Sequence, residues 1–147
     1  MIRKIYGIIF IATLLFTSGC KQDEAVIPST LQNPALLGKW YLKQVLDITD
    51  PAAVPDNNFT ANDYFDFKTG NAGTYSSVGL GQVFEGYYSI NSTLNPQTLS
   101  FKSGTLLLKY TVDELSLTDL ILIETVEETI NGVKTLTLYQ HNYSRIP

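Results

Sequence analysis

Few side chains in this sequence could do chemistry, and they are scattered. Cys20 is the single cysteine and His141 the single histidine among 147 residues. A thiol nucleophile needs a base beside it, and a zinc site needs several Cys, His or carboxylate ligands together. Cys20, preceded by the small residues Thr17, Ser18 and Gly19, has neither in its neighbourhood. His141 shares a strand face with Tyr139 and Tyr143. It reads as a surface-strand histidine without the convergent groups that catalysis demands. No Gly-x-Ser-x-Gly elbow occurs, and Gly79-x-Gly81 lacks the third glycine and the helix of a dinucleotide fingerprint. Asp50, Asp56, Asn57, Asn58, Asn62 and Asp63 crowd the 49–63 stretch but lack the one-apart spacing and bridging glycine of a calcium loop. Asx side chains also favour turns through local hydrogen bonds. An enzyme, a bound metal and a cofactor are therefore not expected.

What Cys20 can do follows from the residues before it. Arg3 and Lys4 open the chain with positive charge, and Ile5 to Phe16 is apolar apart from Gly7 and Thr13. That run is shorter than the ~20 apolar residues of a membrane-crossing helix, and it reads as an export signal. With no second cysteine, a disulfide is ruled out as the role of Cys20 within the chain. Ser18-Gly19-Cys20 resembles a bacterial lipobox, with Thr17 standing where leucine is usual. The resemblance implies cleavage after Gly19 and acylation of Cys20 with palmitate-like chains. Two or more chains anchor stably, at ~0.8 kcal/mol per buried methylene. The partner would then be a lipid bilayer and the place the cell envelope, as an outer-membrane lipoprotein facing the periplasm or the surface. Lys21-Gln22-Asp23-Glu24 resembles a surface-export signal of some Gram-negative lineages and reads equally well as a solvated tether. The chain thus divides into a signal segment 1–19, a tether 20–34 and a domain 35–147.

Removing Arg3 and Lys4 leaves 8 basic against 14 acidic side chains, a net charge of −6. Binding a polyanion requires Lys and Arg at the phosphates, so nucleic acid is not an expected partner. Charge is sparse and aromatic and β-branched residues are plentiful, which is a globular composition.

From Gly38 onward, turn signals separate β-rich runs at 38–48, 62–68, 73–78, 83–91, 97–102, 105–112, 118–127 and 134–143. Asn131-Gly132 supplies the positive φ values of a tight hairpin, and Ser103-Gly104 separates two apolar runs similarly. Eight short successive strands predict an all-β, antiparallel up-and-down barrel, with a two-sheet sandwich as the alternative. Alternation predicts Trp40, Leu42, Leu46 and Ile48 inside, with Tyr41, Lys43 and Asp47 outside. By the same rule Phe65 and Phe67 point inward, as do Leu106, Leu108, Tyr110 and Val112, and Leu136 and Leu138. Tyr41, Tyr64, Tyr87, Tyr139 and Tyr143 fall outside, where they could form a carbohydrate platform or simply favour strand structure. Both faces of 118–127 are apolar; Leu120 and Leu122 are read as inner, and Ile121 and Ile123, with Leu107, as lying under the 31–37 segment or as a contact surface.

Leu37-Gly38-Lys39-Trp40 resembles the Gly-x-Trp signature that opens lipocalins. Phe65-Asp66-Phe67 with a Gly-rich turn and Tyr75, then Gly86 to Ile90, then Tyr110 to Leu117, are similar to the small lipocalin-like domains of Gram-negative lipoproteins. The resemblance spans residues 35–146 and implies a reduced barrel, since the chain stops at Pro147 before the family's C-terminal helix. It further implies that Arg145, just past the last strand, packs over Trp40 and closes the barrel floor. A small apolar ligand would then sit among Leu42, Phe65, Phe67, Tyr88, Leu106 and Leu108, unless these side chains fill the interior themselves. A structural module docking on another envelope protein or a glycan is the alternative.

Overall fold

The β-rich runs do become strands, each pairing through its backbone with the next, across a short connection everywhere except between the first two, which the 48–63 stretch joins. A computed structural model describes residues 33–130 and 132–147. The signal segment, Cys20 and most of the tether lie outside the described residues. The strands are β1 (Gly38–Asp47), β2 (Tyr64–Phe67), β3 (Ala72–Ser77), β4 (Gln82–Asn91), β5 (Gln97–Ser103), β6 (Leu106–Leu115), β7 (Asp119–Ile130) and β8 (Val133–Ser144). Each pairs antiparallel with its sequence neighbour, and β8 returns to β1, so the sheet is a closed eight-stranded barrel. Closure leaves every strand with a paired neighbour on each side along part of its length. Ile130↔Val133 closes the β7–β8 hairpin around a two-residue turn that includes Gly132 at φ 80. Ser103↔Leu106 closes β5–β6 with Gly104 at φ 56.

One end of the barrel is tightly filled. Trp40, Phe65, Phe67, Tyr88, Leu99, Phe101, Leu120 and Leu122 are buried there together with Leu36. Phe65 contacts the rings of Phe67, Tyr75, Phe101, Tyr110 and Tyr143 at centroid distances of 4.8–6.2 Å. Such aromatic pairs add ~0.5–1.5 kcal/mol each beyond their buried area. Residues 33–37 turn beneath this floor, with Leu36 N–H donating to Asn33 O at 2.9 Å. They supply the buried Leu36, while Ile121 and Ile123 remain half-buried on the outer face.

Two strands correct the faces expected from alternation. The β1–β8 register slips between Leu42 and Gln44. A residue bulged out of an antiparallel strand reverses which face the following residues present. Val45 and Asp47 therefore lie opposite His141 and Tyr139, while Leu46 lies opposite Gln140 on the outside and Ile48 is exposed. On β8 the whole assignment reverses. Buried Leu120 and Leu122 pair with Tyr143 and His141, which puts Tyr143, His141 and Tyr139 on the inward face. Leu136 is left outside and exposed, and Leu138 shares that outer face. Register with a buried partner strand overrides the apolar-in rule, since a strand has only two faces to offer.

Candidate functional site

The floor carries a cation–aromatic contact to the tryptophan. The Arg145 guanidinium carbon lies 3.6 Å from the Trp40 ring centroid, and its Nη2 donates to Ala35 O at 2.6 Å. Trp40 Nε1 donates to Leu36 O at 2.7 Å. Gly38, at φ +100, leaves room for this, because a Cβ there would stand 2.8 Å from Arg145 Nη1. These contacts seal the end of the barrel and offer no opening to a ligand.

Among the other residues singled out from the sequence, Phe65, Phe67 and Tyr88 lie in the packed core. Tyr88 also donates its hydroxyl to Lys68 O at 3.0 Å, which ties the β2–β3 turn to the floor. Leu42, Leu106 and Leu108 are only partly buried and pack against the edge of the core. All six positions thus belong to one packed interior, three of them at its partly exposed margin.

Above the core the inner wall turns polar. Glu124, Tyr139 and Asp47 form one cross-strand row on the inward face of β7, β8 and β1. Leu122, His141 and Val45 form the row beneath it. His141 Nε2 lies 3.0 Å from Glu124 Oε2. A carboxylate only accepts, so Nε2 carries the shared proton. The two side chains are 13% and 33% exposed, which places the pair within the barrel but within reach of solvent. The His141 ring meets Tyr110 edge-on at 5.4 Å, and Tyr75 stacks on Phe84 at 6.1 Å.

Burial pushes the Tyr143 and Tyr110 phenols well above the ordinary tyrosine range, and neighbouring tyrosines and the Glu124 carboxylate raise them further. Tyr75 is raised for the same main reason, against a lowering hydrogen bond from Ser77. Glu124 thus acts electrostatically on all three rings, which makes Tyr75, Tyr110, Tyr143, Glu124 and His141 one interior cluster. His141, Tyr139 and Tyr143 thus stand inside the barrel and not on the outer face where strand alternation alone puts them. The signal that could have found the cluster is the period of two from Leu120 and Leu122 to Glu124. Its partner face on β8 depends on register.

The wall is incomplete at this height. The β6–β7 ladder runs from Leu115↔Leu120 to Thr111↔Ile123 and stops there, although both strands continue. A groove of about 470 Å³ lies at this point, bordered by Ser100, Lys109, Tyr110, Thr111, Ile123 and Thr125. In the 48–63 connection, Asx side chains make turns. Asp47 Oδ1 accepts from Thr49 N at 2.8 Å, and Asp56 Oδ1 accepts from Asn58 N at 2.9 Å. Buried Asp63 accepts from Val78 N at 2.7 Å and from Thr60 N at 3.0 Å, which pins the connection to the β3–β4 turn.

Comparison with protein-family models, with characterised proteins and with solved structures gave no match. The cluster must therefore be interpreted from its own geometry. It combines partly exposed aromatic rings, a carboxylate and phenol hydroxyls inside a closed sheet. That suits holding a small molecule by its polar end.

Proposed function

We propose that this protein is an anchored envelope lipoprotein whose lipocalin-type barrel holds one small ligand at its open end. The observation that carries the reading is the change along the inner wall. The floor is packed with buried rings, whereas Leu106, Leu108, Phe84, Tyr75, Tyr139, Glu124 and His141 above it keep partial exposure. Eight-stranded barrels have room for side chains alone or for one small ligand, and partly exposed inward groups favour the second.

The lipocalin type is supported by the sequential closed topology and by Trp40 seated on the floor beneath Arg145. The anchor is supported by the Ser18-Gly19-Cys20 motif. The described chain begins at Asn33, at the floor, so a tether from Cys20 reaches the barrel at its closed end. The open end then faces away from the membrane, towards solutes.

The test is mass spectrometry of small molecules extracted from the protein purified out of its native envelope, alongside a Leu108→Trp variant. A molecule present at about one per chain and lost from a folded Leu108→Trp variant is the expected result. Identical extracts from both would sink the reading.

A second reading rests on the outer face of β2–β4. Thr74 and Ser76 point outward there yet are buried, between Tyr64 and Lys68 on one side and Val83, Glu85 and Tyr87 on the other. The two hollows measure about 270 and 350 Å³. This trough suits docking on a glycan or an envelope protein. Loss of binding to intact envelopes on Tyr87→Ala would favour it.

A further inference from the structure

The lysines of the strands all stand on the outer face, whereas carboxylates stand on both, with Asp66, Glu85 and Glu127 facing outward. Register places Asp47 and Glu124 on the inward side, while Glu128, on the same face of β7, is exposed on the part of the β7–β8 ribbon that pairs with neither β6 nor β1. Lys39 lies opposite Asp66, Lys102 opposite Tyr87, Lys109 opposite Ser100 and Lys134 opposite Thr129, all outward pairs. Lys43, at the β1 bulge, is exposed. Among the described residues, no Lys or Arg side chain stands on the inward face above the floor. Acidic groups set in low-dielectric walls concentrate a negative potential at the opening, which attracts cations and repels anions.

We infer that the ligand is a small organic ammonium ion, its charge held beside Glu124 and against the ring of Tyr139. The inference rests on the ligand-binding reading above and names the chemistry of the same site. Glu124 has a hand free for it. Oε2 is engaged by His141, while Oε1 makes no hydrogen bond with another described residue. Tyr139 stands beside Glu124 in the same cross-strand row, while the Asp47 carboxylate on its other side is engaged through Oδ1 by Thr49 N and Asp50 N. A cation within ~6 Å of an aromatic face gains most where water is excluded. His141 and the rings of Tyr75 and Phe84 border the same space.

An independent observation points to a polar guest. Tyr110 and Tyr143 are 5% and 3% exposed, yet neither hydroxyl makes a hydrogen bond with another described residue. No fully enclosed side-chain N or O atom among the described residues lacks a partner. Both hydroxyls must therefore open onto accessible space inside the barrel, where they can accept N–H groups directly or through water. Leu106, Leu108 and Phe84 offer an apolar wall to the body of the ligand. A fatty acid fits this wall but brings its carboxylate against Glu124.

The test compares three probes of one chain length on the full chain in a neutral maltoside detergent: hexyltrimethylammonium, hexanoate and hexanol. Binding is read from side-chain NMR shifts of His141 and Tyr139. The ammonium should bind roughly tenfold tighter than either competitor. Glu124→Gln, which keeps an acceptor for His141, should lose roughly tenfold of that affinity, and Tyr139→Leu should lose affinity with the fold checked by thermal melting. Equal or tighter binding of hexanoate or hexanol at these residues overturns the cationic ligand and leaves a ligand site standing. No shift with any probe overturns both. Undiminished ammonium affinity in folded Glu124→Gln overturns the assignment to Glu124.

Discussion

Arg145 sits over the Trp40 ring, 3.6 Å from guanidinium carbon to ring centroid, although the two residues stand at opposite ends of the barrel sequence. Only closure of β8 onto β1 brings them together. A guanidinium stacked on an indole is worth ~0.5–2 kcal/mol, and an ammonium does not reproduce its planar geometry. Arg145→Lys should therefore lose roughly 1 kcal/mol in urea unfolding, and Arg145→Ala somewhat more because the Ala35 carbonyl also loses its donor. Gly38→Ala should cost roughly 1–2 kcal/mol from its positive φ alone. It should cost less in an Arg145→Ala background, where the 2.8 Å clash with Nη1 has gone. Parent-like stability of Arg145→Ala would show that the stack contributes nothing.

Gly86 should be the least replaceable glycine of the strands. A Cβ there would stand 2.1 Å from Lys102 O, which is backbone of the neighbouring strand and cannot swing away. The β4–β5 ladder begins next to it at Tyr87↔Lys102, and Ser103 Oγ donates to Glu85 O at 2.6 Å across the same crossing. Gly86→Ala should destabilise by about 3 kcal/mol or leave insoluble protein. Gly70→Ala, with nothing within 4 Å of its Cβ, is the control for positive φ without a clash. Similar melting temperatures for the two variants would refute the close-approach argument.

The buried phenols set a pH limit. Tyr110 and Tyr143 ionise well above the ordinary value of 10.0 because burial disfavours their charged form. Raised folded-state values mean that the unfolded chain releases these protons first as pH rises. Their contribution to stability is complete below pH 10 and is lost as the pH climbs through the folded values. Ultraviolet titration of the folded protein should show Tyr110 and Tyr143 ionising only with unfolding. A single reversible titration of every tyrosine near pH 10, with the fold intact, would contradict this.

Cys20→Ala should leave the chain as an unprocessed precursor or release it from the membrane fraction, since the thiol is the proposed acylation point. Detergent partitioning of the parent and the variant, with palmitate labelling, reads this directly. A variant that is still cleaved and still membrane-bound would remove the lipoprotein reading while leaving the barrel untouched.

Local signals were enough for the eight strands and their order. A hairpin is decided within a dozen residues by alternation and by a glycine at a turn, as at Gly104 and Gly132, so the antiparallel succession was legible in the sequence alone. The positions of Trp40, Phe65, Phe67, Leu120 and Leu122 in the core were legible for the same reason. Which face of β8 looks inward was not. Its two faces, Leu136 with Leu138 and Tyr139 with His141 and Tyr143, differ by one residue of register, and the apolar one was the natural choice. Tertiary pairing with Leu120 and Leu122 chose the other, and the slip between Leu42 and Gln44 turned Asp47 inward to join it. The Glu124–His141 pair and the ring of tyrosines around it exist only through that choice, because residues 17 apart on two strands meet only once the hairpin register is set. Local propensity names the strands of a barrel, but only closure decides what stands inside it.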